Sequence, residues 1–147
     1  MFDEREIPFP AYEGDEPYIH VIYAHMDKNA VFHDLKIFHN EGYNIYYDQG
    51  ISLGMGEPED IERSLSNCSL AVAFISKISV DSHNVLVNIR FALERNIPLL
   101  PIYLEETQLP QDLMFSLGMA RSILKFVMSD EDYIEMCKGA FDEYGLK

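Results

Sequence analysis

A chain of 147 residues, 48% hydrophobic and 24% charged, is long enough to fold as one domain around a buried core. Its formal net charge of -14 repels phosphate backbones and anionic bilayers, which argues against nucleic acid or a membrane surface as partner. No apolar run is long enough to cross a bilayer, and the N-terminal MFDEREIPFP lacks the basic region and apolar core of a signal peptide, so a cytoplasmic location is expected.

Residues 1–17 are acidic, hold three prolines and show no period, so they read as an acidic N-terminal arm ahead of a domain at 18–147. Tyr18 to Tyr23 is a first strand, and His20 in it is expected to find a hydrogen bond there. The loop Ala24-His25-Met26-Asp27 leads into a helix over 28–41, with Val31, Leu35 and Phe38 on its buried side and Gly42 as its stop. Asn44 to Tyr47 is a short second strand. The connection from Asp48 to Gly56 carries three glycines, is long for a strand-to-helix loop, and suggests binding. Pro58 suits a first helical turn, and Ile61 and Leu65 bury one side of a helix ending near Asn67.

Leu70 to Ile75 is a continuous apolar run, the mark of a strand covered on both faces. Ser76 ends it, Asp81 or Ser82 can cap the next helix, and Val85, Ile89, Ala92 and Leu93 recur at helical spacing. Asn96 and Pro98 stop that helix. A fourth buried strand covers 99–104, and a short helix and a short strand near Ile123 follow. Ser129 caps a last helix with Asp130, Glu131 and Asp132 in its first turn, where the helix dipole favours anions.

Strand and helix alternate throughout, which predicts an α/β fold: a five-stranded parallel sheet, order 2-1-3-4-5, with helices on both faces in the flavodoxin-like manner. In such folds, ligands bind at the carboxyl ends of the strands. The first such loop has no glycine, which excludes the dinucleotide fingerprint and the P-loop. Ser76 stands where a phospho-acceptor aspartate would be, so Lys125 is expected to lack the partner it would have in a receiver. No pair of histidines or cysteines has metal-ligand spacing, so no metal site is expected, and Cys68 and Cys137 read as reduced packing thiols.

Five segments, taken in order, carry a resemblance: residues 21–27, 45–48, 54–61, 68–76 and 88–93. With them the chain resembles a bacterial Toll/interleukin-1 receptor (TIR) domain across residues 17–126. The resemblance implies the same five-stranded fold. It makes the connection after Asp48 the family's BB loop, a self-association surface that would use Gln49, Gly50, Leu53, Gly54, Met55 and Gly56. Other TIR domains are then the expected partners.

Many bacterial and plant members of this family cleave NAD+ at the nicotinamide–ribosyl bond. Their catalytic glutamate lies on the helix after the third strand, four residues before an alanine. Ala92 sets the register, and Asn88 occupies that position. An amide carries no charge to stabilise the ribosyl cation, and losing such a group typically slows a reaction on the order of 10²–10⁴-fold. Glu94, six residues on, is rotated away and does not replace it. The implied ligand-binding residues are Tyr23, Ala24, His25, Tyr47, Asp48, Ser76 and Ser82. For several of them a plain reading stands beside the implied one: Tyr23 and Tyr47 as aromatics at the core's edge, Ser82 as a helix cap, Asp48 as the start of a turn.

Three functions remain open. The first is an assembly module whose NAD+ cleavage is lost or weak. The second is an NAD+ glycohydrolase or cyclase producing ADP-ribose-type signals, as in antiphage defence. The third is a non-catalytic sensor of NAD+ or an ADP-ribose derivative. None requires a bound cofactor; NAD+ enters as substrate or ligand.

Overall fold

The computed structural model describes residues 7–51, 58–118 and 121–146. Five strands form one parallel sheet: β1 Ile19–Ile22, β2 Ile45–Tyr46, β3 Leu70–Ile75, β4 Leu99–Tyr103 and β5 Ile123–Leu124, in the order β2-β1-β3-β4-β5. The helices are α1 Lys28–Asn40, α2 Pro58–Asn67, α3 His83–Glu94, α4 Gln111–Gly118 and α5 Asp130–Glu143. The expected fold class and strand order are therefore found. The short strands β2 and β5 form the two edges of the sheet, which leaves little main chain for unwanted pairing.

Alternation along β3 divides the core. Leu70, Val72 and Phe74 face one side, where α1 contributes Val31, Leu35 and Phe38 and α5 contributes Tyr133, Cys137 and Phe141. Ala71, Ala73 and Ile75 face the other side, against Leu65 of α2, Val85, Ile89 and Ala92 of α3, and Leu113 and Leu117 of α4. The small side chains Ala71, Ala73 and Ala92 meet on this second side and let α3 lie close to the sheet.

The helix ends obey their local signals. Ser82 accepts a hydrogen bond from the Val85 amide and Ser129 accepts one from Asp132. Gly42 takes φ 101° after α1, and Asn96 takes φ 58° after α3, the left-handed turns that glycine and asparagine tolerate best.

Two sequence readings change. The stretch read as a lead-in arm enters the core: Phe9 and Ala11 are buried, and Ala11 and Tyr12 donate backbone hydrogen bonds to Gly50 and Ile45. Phe9 also stacks on His39 with ring centroids 4.0 Å apart. Lys125, expected to stand alone, binds buried Asp34 at 2.8 Å. That carboxylate comes from α1, not from the end of β3, which is why a search for a receiver aspartate missed it. Tyr133 donates to the same Asp34 oxygen at 2.7 Å, and His33 lies 3.3 Å from the other oxygen.

Among the described residues both cysteines are free thiols, and burial pushes each pKa up to about 12. Among the same residues no helix is long and apolar enough to cross a membrane.

Candidate functional site

A cavity of about 400 Å³ opens at the carboxyl end of β1, between α2 and α3. The strand places Tyr23, Ala24 and His25 on one wall because the chain leaves the sheet there and turns into α1. Asp48, directly beyond β2, reaches the same space. On α3, Asn84 and Asn88 are one turn apart, so both amides face the cavity beside the Ser82 cap. On α2, Pro58, Ile61 and Glu62 make the matching stripe.

Asp48 is the most constrained polar group here. One carboxylate oxygen takes a 2.7 Å contact from His25 Nε2. The other is buried with no hydrogen-bond partner. The Asp48 contact raises the pKa of His25 above its usual value of 6.5 against an opposing effect of partial burial. Deeper in, His20 is nearly fully buried and its Nδ1 lies 2.9 Å from Ser64 Oγ on α2. Burial drives its pKa down to about 4, so the ring is neutral at pH 7. Tyr23 donates to Gln49 Oε1 at 2.6 Å, and burial raises its pKa, keeping the phenol protonated.

The structure thus gathers Tyr23, Ala24, His25, Asp48, Ser82 and Asn88 around one cavity. It places two expected ligand residues elsewhere. Tyr47 is fully buried and donates its hydroxyl to the Phe9 carbonyl, anchoring the N-terminal segment. Ser76 is buried and turned into the loop after β3, where its hydroxyl donates to Asp27 and accepts from the Ser79 amide at 3.0 Å. Of the expected interaction loop, Leu53, Gly54, Met55 and Gly56 lie outside the described residues. Gln49 is half-buried. Gly50 is buried, and a Cβ there would come within 2.5 Å of the Tyr47 ring and 2.9 Å of the Ala11 amide nitrogen. Its absent side chain is a packing requirement.

Asn84 and Glu62 are cavity residues that the sequence reading passed over. Asn84 could have been found as the residue one turn before Asn88 on the same helix face. Glu62 is adjacent to Ile61 and one turn after Pro58, but without knowing where α2 docks nothing marks it. Glu94 is exposed and does not line the cavity. Among the described residues no cluster of His, Cys, Asp or Glu could hold a metal ion.

Chemically, the cavity offers two carboxylates, two amides, a serine, a tyrosine and two histidines, and its described lining contains no lysine or arginine. It suits hydroxyl groups and positive charge better than phosphate.

No curated protein matches the sequence. The fold is similar to the crystal structure of the TIR domain of the Toll-related receptor TRR-2 from the lower metazoan Hydra magnipapillata, with a TM-score of 0.68 over 86% of this chain and 96% of that one, at 16% identity. A family model described as the TIR domain matches residues 19–141, from the first strand to the last helix, and the chain therefore belongs to the TIR-domain family.

Proposed function

We propose that this TIR domain is a signalling module that acts by associating with other TIR domains, and that it cleaves NAD+ feebly or not at all. The observation that carries the second half is the position of Asn88. It is half-buried on the cavity wall, where the family's glutamate is expected, and no carboxylate from α3 lines the cavity in its place. Asp48 and Glu62 are acidic but come from other elements, and Asp48 is already engaged with His25.

Self-association is supported by exposed apolar side chains. Met114, Phe115, Leu124, Phe126 and Val127 are all well exposed although they are large and hydrophobic, and Phe115 is 78% accessible. Apolar Leu53 and Met55 add to this from the sequence.

Nicotinamide release by the unmodified protein and by Asn88→Glu, at matched high concentration, tests the catalytic half. The unmodified protein should release little, and the variant more, because a charge restored opposite the ribosyl cation can lower the barrier by a few kcal/mol. Robust release by the unmodified protein would overturn this half and favour the hydrolase or cyclase. The assembly half is tested by light scattering against concentration. The double variant Leu53→Asp/Met55→Asp should lose assembly, and unchanged assembly would refute the role of that loop.

A second reading, a sensor that binds NAD+ or an ADP-ribose derivative without turnover, is favoured by the buried Asp48 oxygen that has no donor. A ribose hydroxyl is a suitable donor for such an acceptor. Saturable binding of ADP-ribose that weakens in Asp48→Asn would support it.

A further inference from the structure

A second cavity, larger than the first at about 600 Å³, lies on the other side of α2, between that helix and residues 12–17. We propose that it is a binding site for a small organic cation bearing ammonium or guanidinium N–H groups.

The site is built, not a chance gap. Glu16 donates its backbone N–H to the Tyr12 hydroxyl at 2.8 Å, which curls residues 12–16 into a loop. Asn44 donates its side-chain amide to the Pro17 carbonyl at 3.1 Å, and Tyr18 donates its hydroxyl to the Ser64 carbonyl on α2. Both walls are thereby fixed to the sheet.

Among its charged groups, carboxylates outnumber the one cation four to one. Glu13, Asp15 and Glu16 line one wall and Asp60 the other. Arg63 faces them, but it is held by Asp60 at 3.0 Å, and the three carboxylates of the 12–17 segment have no ion pair among the described residues. An acidic lining alone would be a solvated surface. The second observation is Tyr46. This residue is 5% exposed, lines the cavity, and has a hydroxyl buried without any hydrogen-bond partner. Burial and then the nearby carboxylates Asp48, Asp60 and Glu13 raise its pKa, so the hydroxyl stays neutral. A buried hydroxyl without a partner is an unfavourable arrangement that an incoming N–H donor corrects.

The occupant's class follows. No three ligating side chains among the described residues converge closely enough for a metal ion. The carboxylates are spread around a space of the size used for small ligands. An extended amine or guanidine can donate to Tyr46 Oη with one end and meet the acidic walls along its length.

Agmatine and spermidine are suitable probes, with neutral 1,4-butanediol and Mg²⁺ as controls, in calorimetric titrations of the whole chain at moderate salt. Saturable binding of either amine is expected. Tyr46→Phe should weaken it roughly threefold to tenfold, the loss of one hydrogen bond. Glu13→Gln/Glu16→Gln, which changes only exposed side chains, should weaken it at least as much. Thermal melts of Tyr46→Phe without ligand should match the parent, which separates lost binding from lost folding. The proposal is overturned if neither amine binds saturably, or if Tyr46→Phe leaves binding unchanged. It is also overturned if Mg²⁺ displaces the amines stoichiometrically, or if only a long basic peptide binds.

Discussion

Asp34 on one face of the sheet, and Asp48 and Tyr46 on the other, are buried polar residues with unequal sets of partners. On the α1 and α5 face, Asp34 sits 2% exposed among Val31, Leu35 and Phe38 and is served by three neighbours: Lys125, Tyr133 and His33. On the α2 and α3 face, the Asp48 oxygen and the Tyr46 hydroxyl are buried with no partner. A buried charge that is fully served stabilises a core, whereas a buried polar atom without a partner costs stability. On the proposals made above, the first face is structural and the second is where ligands would act.

The largest expected effect comes from breaking the served network. Removing Asp34 leaves the buried Tyr133 hydroxyl and the largely buried Lys125 ammonium without their shared acceptor, so Asp34→Ala should lose about 3–5 kcal/mol in urea denaturation. Lys125→Met should cost less, because Tyr133 still donates to Asp34. The double variant Asp34→Leu/Lys125→Met should recover much of the loss, since apolar replacement of a buried pair is often neutral. A loss under about 1 kcal/mol for Asp34→Ala would mean that this face does not depend on the pair.

Next in size is acid destabilisation through His20. Its folded pKa, about 4, lies below the usual 6.5, so the unfolded chain binds the proton first. The stability it contributes is complete above 6.5 and is lost as pH falls from 6.5 towards 4. A shift of this size corresponds to roughly 3 kcal/mol. Urea midpoints measured between pH 7 and 4 should fall in the parent and fall less steeply in His20→Asn, compared with each protein's own value at pH 7.

Smaller again is the expected effect of Tyr46→Phe on stability, within about 0.5 kcal/mol, because no hydrogen bond is removed. Set against Asp34→Ala, this is the sharpest test of the contrast between served and unserved groups. A loss above about 1.5 kcal/mol would show that the hydroxyl has a structural partner after all.

Most of the fold was legible because its signals are local. The unbroken apolar run of β3 could only be a strand covered on both faces, and Gly42, Ser82, Asn96 and Ser129 mark helix ends by their own backbone preferences. The candidate site residues came from the TIR resemblance, and the structure brings those at strand ends (Tyr23, His25 and Asp48) and Asn88 on α3 to one cavity. Tyr47 and Ser76 misled because a residue beside a strand end can turn inward as easily as outward, and what decides is a long-range partner: Phe9 for Tyr47 and Asp27 for Ser76. Asp34 left a trace that could have been read, an acid inside the 31, 35, 38 stripe of α1. Its two buried-side partners, Lys125 and Tyr133, lie 91 and 99 residues away in sequence, so no local pattern names them.

The smallest expected effect concerns His25, and its sign is opposite to that of His20. The Asp48 carboxylate raises its folded pKa above 6.5, so its contribution is fully present below 6.5 and is lost as pH rises through the folded value. Both partners are substantially exposed, His25 at 57% and Asp48 at 39%, so solvent and salt screen the pair and the effect should be slight. Stability followed from pH 6 to 9 at low salt should decline gently in the parent, and less in His25→Ala. Added salt should remove the difference between the two. Together the histidines give a steep acid flank from His20 and a shallow alkaline flank from His25. An alkaline flank that persists unchanged in His25→Ala would show that the contact with Asp48 does not hold in solution. The Asp48 carboxylate would then be free to serve the cavity with both oxygens.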